Sequence, residues 1–446
     1  MKHNKSPRLI ISLITLVILF LSACGASIET PITATPTSVR LTATTTAILP
    51  TATYILPTWT VTPTPVPQRV ISERLIAQID FSSWIPETLT VSPNRRRVAY
   101  VVKEGGNQFV IVDGERNQPY TTIAESSILF SPDSQRVAYV AQVGNKAVVV
   151  IDGVEGKPYD SVVFFAFSPD SQRVACVAQV GNKLVVVVDG VEGKPYDSVG
   201  LPAFSPDSQR VTYAAQVDSK WVVVVDGVEG KLYNSIGGYG LVSPLFSPDS
   251  QRIAYGAQKG NKVVAVIDGQ EGKPYDSIGL LLFSPDSQRV AYAASVGNKQ
   301  LVVVDGKEGK IHDGILVDSL LFSPDSQRMA YGAIAANRQL MVVDGTEGKT
   351  YDEVGDPLFS PDSQRVAYTA GEGGKWFVVV DGVEQKTYDR IGAPIFSPDS
   401  QRMAYGAVAG NKQLVVVDGT EGKTYDGVGD PLFSPDSQRV AYVVQT

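Results

Sequence analysis

The sequence predicts an all-β fold, a β-propeller of about nine to ten four-stranded blades, and three observations predict it. The decapeptide FSPDSQRVAY stands at Phe130 and returns verbatim at Phe283, Phe359 and Phe433, with near copies beginning at Phe167, Phe204, Phe246, Phe322 and Phe396. With Val91 as a degenerate first mark, the spacings run from 37 to 42 residues, the length of one repeated supersecondary unit. Each unit holds four short runs rich in β-branched and aromatic residues, and none is long enough or free enough of Gly and Pro to form a helix.

The unit from Phe167 to Ala203 justifies the elements in order. A first strand ends in Ala-Phe-Ser, and Pro169 to Gln172 turns the chain. The second strand is RVACVAQV, closed by Gly181-Asn182. The third, KLVVVVD, is apolar without alternation, as expected of a strand covered on both faces by neighbouring sheets. Asp189-Gly190 is a hairpin signal, and KPYDSVG reads as the fourth strand. After the last mark, residues 433–446 suffice for two strands, and residues 69–90 could supply two more. A composite blade from both chain ends would then close the ring, ten blades in all; two smaller rings or an incompletely closed arc remain open.

The motif SPDSQRVAY resembles the SPDG-type blade motif of TolB-like propellers, within the WD-repeat-like superfamily, over residues 69–446. The departure is Ser134, Ser171 and their sisters where that family carries Gly, so a side chain stands where a positive φ is expected.

Ahead of the array, Lys2, Lys5 and Arg8 precede an apolar run from Leu9 to Leu21, a secretory signal too short for a transmembrane helix. The sequence Leu21-Ser22-Ala23-Cys24 resembles the lipobox of bacterial lipoproteins, which implies cleavage after residue 23 and lipidation of Cys24. Residues 24–68 then read as the lipidated cysteine and a Thr/Pro-rich linker, extended in the manner of a stalk, and the domains as 1–23, 24–68 and 69–446. The expected location is extracytoplasmic, anchored to a membrane through the lipid.

Removing residues 1–23 leaves 36 Lys and Arg against 46 Asp and Glu, a balance that disfavours nucleic acid as a partner. Cys176 is the other cysteine and occupies the slot of Tyr139 and Tyr292 in sister repeats, which reads as a packing variant. His312 is the one histidine beyond the signal, which excludes a multi-histidine metal site. No cofactor, metal or catalytic residue is expected.

The repeated aspartates, Asp133 to Asp436, read as turn staples, each with the Arg three residues on near enough to pair with it. In an up-and-down blade the first and third turns share one face. Recognition is expected on the other, where the second turns and the connections between blades vary. There Phe164, Phe165, Trp221, Tyr239, His312 and Trp376 break the repeat as candidate ligand contacts, and Asp356, Arg390 and Asp430 add charge. The expected function is a non-catalytic, monomeric scaffold that binds a protein or polysaccharide. The alternative is a propeller glycan hydrolase or lyase, which requires two unrepeated carboxylates about 5–10 Å apart near the axis. No G-x-S-x-G elbow is present, so the hydrolase domain that follows TolB-like blades in prolyl-oligopeptidase-like enzymes is not expected.

Overall fold

The computed structural model describes residues 75–237 and 244–446, and its compact unit is Ile76–Thr446. The described residues are all-β and helix-free, as the turn signals require. They form nine antiparallel sheets of the propeller-blade kind in strict sequence order, four with four strands and five in which the first strand is split into two short segments, followed by a tenth unit of two two-stranded pairings from residues 427–445. In the third sheet the strands are Ser161–Phe167, Val174–Val180, Lys183–Val188 and Val191–Glu192. The second and third strands are buried on both faces, which is why Leu184 to Val188 need no polar alternation. Apolar clusters lie between successive sheets: Val177 and Val186 of the third pack with Tyr213, Ala215 and Val224 of the fourth.

Two expectations are corrected. KPYDSVG is not one strand: Tyr196 bridges Leu184 in the third sheet, whereas Ser198–Val199 pair with Gln216 and Ala215 in the fourth. Asp197 alone carries the chain between sheets. Its Oδ1 accepts from Lys183 Nζ of the sheet behind (2.5 Å) and its Oδ2 from Asp218 N of the sheet ahead (2.8 Å).

The N-terminal stretch also pairs differently from the composite closure. Trp84 bridges Val102, and Thr90–Val91 pair with Ala99 and Val98, so these residues complete the first strand of the first sheet. Among the described residues no strand from that end pairs with the tenth sheet, in which Gly427–Val428 pair with Gln445 and Val444. The first sheet takes them because residues 84–91 lie one turn ahead of their own hairpin partner, a far shorter loop to close than one spanning the array.

Candidate functional site

The repeated polar residues are committed to joining sheets. Ser131 Oγ donates to Asp133 Oδ1 (2.6 Å), and the same carboxylate oxygen accepts from Gln135 N (2.9 Å), which fixes the turn. Arg136 does not hold Asp133, as expected from sequence, but reaches Asp152 of the Asp-Gly turn, Nε to Oδ2 2.9 Å. Asp152 follows the third strand directly opposite the start of the second, so the partner lies across that strand pair and not within the SPDS turn. This bond places the first and third turns on one face, as the up-and-down order requires. Asp152 and Gly153, with φ of 51° and 80°, carry the left-handed backbone of a tight hairpin.

The same arginine then crosses to the next sheet. Its Nη1 donates to the carbonyls of Ser171 (3.3 Å) and Gln172 (3.0 Å), and its guanidinium lies 5.4 Å from the centroid of the Phe167 ring. Ser171 explains the departure from glycine. It holds a φ of 68°, and its buried Oγ accepts from Asp133 N of the sheet behind (3.0 Å). The bond recurs at each junction, from Ser134 accepting Asn94 N to Ser437 accepting Asp399 N, so a side chain pays the conformational penalty of a left-handed residue to tie neighbours together. Tyrosines do the rest: Tyr120 of one sheet meets Tyr139 of the next edge-to-face at 6.0 Å. The hydroxyl of Tyr196 donates to Glu229 of the sheet ahead (2.9 Å).

What is left to vary is the middle of the first strand. The stretches read from sequence as loops between sheets lie inside that strand as bulges or breaks. Register shifts fall between Val162 and Phe164, between Ile278 and Leu281, and between Leu316 and Leu321. Most of these breaks expose an unrepeated residue: Val163 and Leu201 in the third and fourth sheets, then Asp318, Asp356, Ala393 and Asp430 from the seventh to the tenth, whereas Gly279 and Leu280 at the break of the sixth are half-buried. The first-strand edge is therefore apolar in one part of the array and acidic in another.

The structure distributes the predicted residues over several places. Phe164 and Phe165 belong to Ser161–Phe167 and are half-buried, Phe164 packed toward the fourth sheet and Phe165 toward the second. Alternation along a strand sends them to opposite faces, so they form no common patch. Trp221 and Trp376 stand beside the second turns of the fourth and eighth sheets, half-buried, opposite Gln216 and Gly371. Gly371 leaves room for the indole, since a Cβ there would stand 3.3 Å from the ring. His312 is 3 % exposed, edge-to-face with Tyr331 at 6.3 Å, and takes the place of Tyr196. Burial pushes its pKa down against the opposing pull of Glu347, and its Nε2 has no partner among the described residues. Arg390 opens the first strand of the ninth sheet. Tyr239 and Cys24 lie outside the described residues. The exposed positions Val163, Leu201 and Asp318 were missed, although their signal was present: each stands where successive units disagree in composition.

No family model matches the sequence, and no curated protein matches it. Solved structures are similar in arrangement at low identity. The β-propeller domain of the trilobed protease from Pyrococcus furiosus is 13% identical with a TM-score of 0.27, over 57% of this chain and 91% of that one. TolB from Acinetobacter baumannii is 15% identical with a TM-score of 0.24, over 64% and 77%. A eukaryotic initiation factor is 11% identical with a TM-score of 0.36, over 74% and 96%.

Proposed function

We propose that this chain is a lipid-anchored, extracytoplasmic and non-catalytic scaffold that binds a protein or polysaccharide partner along its unrepeated surface. One observation carries the reading: the repeated polar groups are engaged within and between sheets, so the surface that differs from sheet to sheet is the set of first-strand breaks together with Trp221 and Trp376. A partner that requires one register along the array can read only residues that differ. Anchoring rests on Leu21-Ser22-Ala23-Cys24 and on the Thr/Pro-rich residues that follow, which separate the array from the bilayer.

The test has two arms. Cys24→Ala should move the full chain out of the membrane fraction or leave it unprocessed, and unchanged processing with full retention would remove the anchoring half. For recognition, partners captured by the full chain, or glycans on an array, should be lost when Trp221 and Trp376 are changed to Ala together with Asp318, Asp356 and Asp430 to Asn. Capture that survives this variant but fails in a folded Asp207→Ala protein would assign binding to the repeated turns instead.

A further inference from the structure

The junction between the second and third sheets differs from its sisters at one side chain. In the fourth sheet the second strand carries Tyr213, whose ring lies edge-to-face with Tyr196 of the sheet behind at 6.2 Å. The same pairing recurs at Tyr275 with Tyr292 and at Tyr388 with Tyr405, each at 6.3 Å. The hydroxyl at this slot also covers a glycine of the preceding sheet: a Cβ at Gly193 would stand 3.3 Å from Tyr213 Oη, and one at Gly272 3.5 Å from Tyr292 Oη.

In the third sheet the slot holds Cys176, and the space of the ring is left open. A pocket of about 270 Å³ lies there, lined by Val149, Gly156, Tyr159, Cys176 and Val187, with Arg136, Lys157 and Asp189 as its charged residues. Gly156 meets no tyrosine hydroxyl. Tyr159, the fourth-strand tyrosine that would face the missing ring, is 4 % exposed, and its Oη has no hydrogen-bond partner among the described residues. Its counterparts Tyr196 and Tyr275 donate to Glu229 and Glu308, each at 2.9 Å, although those glutamates also hold Lys194 and Lys273; at this junction Glu192 holds Lys157 at 2.8 Å and is the acidic neighbour of Tyr159 but makes no hydrogen bond to it. A buried hydroxyl without a partner, on the wall of an apolar gap, is a polar anchor without its complement.

We propose that this gap is a binding site for a small phenol, whose ring takes the place of the absent tyrosine ring and whose hydroxyl pairs with Tyr159 Oη. The size suffices, since an apolar cavity of about 150 Å³ already accepts benzene. Recognition is non-covalent: burial pushes the Cys176 thiol up to about 11, so it is neutral at physiological pH and forms an apolar wall. This site is independent of the first-strand surface and stands or falls separately from it.

The probe is p-cresol, the tyrosine side chain without its backbone, titrated into the full chain by calorimetry and followed by melting, with toluene as the ring without the hydroxyl. Saturable binding of p-cresol with a rise in Tm is expected, and toluene should bind at least about threefold more weakly. Cys176→Tyr fills the gap from within, so it should raise Tm by itself and weaken p-cresol at least about tenfold. Tyr159→Phe should keep the pocket but erase the preference for p-cresol over toluene, an outcome that does not depend on the first variant folding. Absence of saturable binding to the parent chain, undiminished binding to a folded Cys176→Tyr, or an unchanged preference in Tyr159→Phe would each overturn the proposal.

Discussion

The serine that closes each SPDS turn is in conflict with its own backbone and is retained for what its hydroxyl does. Ser208 holds a φ of 65°, is fully buried, and accepts Asp170 N at 2.9 Å. Ser208→Ala keeps the strained backbone and leaves that N–H without its partner, so a loss of about 1–3 kcal/mol is expected in denaturant melts. Ser208→Gly relieves the backbone and should lose less; a glycine variant more stable than the parent would mean the bond between sheets contributes nothing net. His312 gives a second test at this scale. Burial lowers its pKa in the folded protein, so the unfolded chain binds the proton more readily. The stabilisation from keeping it neutral is complete above about 6.5 and is lost as pH falls below that value. His312→Tyr, the residue of its sisters, should flatten the change in Tm between pH 7 and 5; an undiminished slope would place that titration elsewhere.

At the scale of the element, the SPDSQ turn is a carboxylate cradle repeated along one face. The hydroxyl of Ser168 is the main cause that lowers the pKa of Asp170, followed by the Gln172 N–H, and the serine of the same motif does likewise for Asp133, Asp207 and the others through Asp436. Folded values below the unfolded value near 4 mean that this stabilisation is complete above about pH 4 and is lost as pH falls through the folded values. Because the same turn titrates at every sheet, Tm should fall steeply below about pH 4, a dependence checked by melting from pH 7 to 2. A flat profile between pH 4.5 and 2.5 would show that the cradle does not hold the turns. The candidate surface is also an element-scale feature, since the first strand bulges or breaks at its middle while the second and third strands pair in unbroken register; the third-to-fourth pairing shifts as well in the fourth, fifth and seventh sheets.

At the scale of the whole molecule, the serine bond recurs at each junction between one sheet and the next, so stability should sum over neighbours. Excision of residues 322–358 joins Leu321 to Phe359, removes one 37-residue period and recreates the same junction. That protein should fold with a Tm within about 5 °C of the parent, whereas excision of residues 322–351, out of phase with the repeat, should not fold cooperatively. Collapse of the in-phase deletion would show that the array depends on a fixed number of sheets, as a closed ring does.

The sequence by itself determined the four-stranded unit, its period, the sharing of one face by the first and third turns, and the structural character of the repeated aspartates. These follow from local chemistry: tight turns need Asp, Gly and Pro at set places, and a strand covered on both faces needs an unbroken apolar run. Tertiary structure decided which sheet each residue serves. Asp197 switches the chain between sheets with no Gly or Pro beside it, Arg136 finds its carboxylate on another turn and its carbonyls on another sheet, and residues 84–91 pair with the first sheet. The exposure of Val163 and the gap beside Cys176 were likewise decided there. A repeat writes the same letters for bonds made within a unit and for bonds made to the next one, and only the placement of neighbouring sheets separates the two.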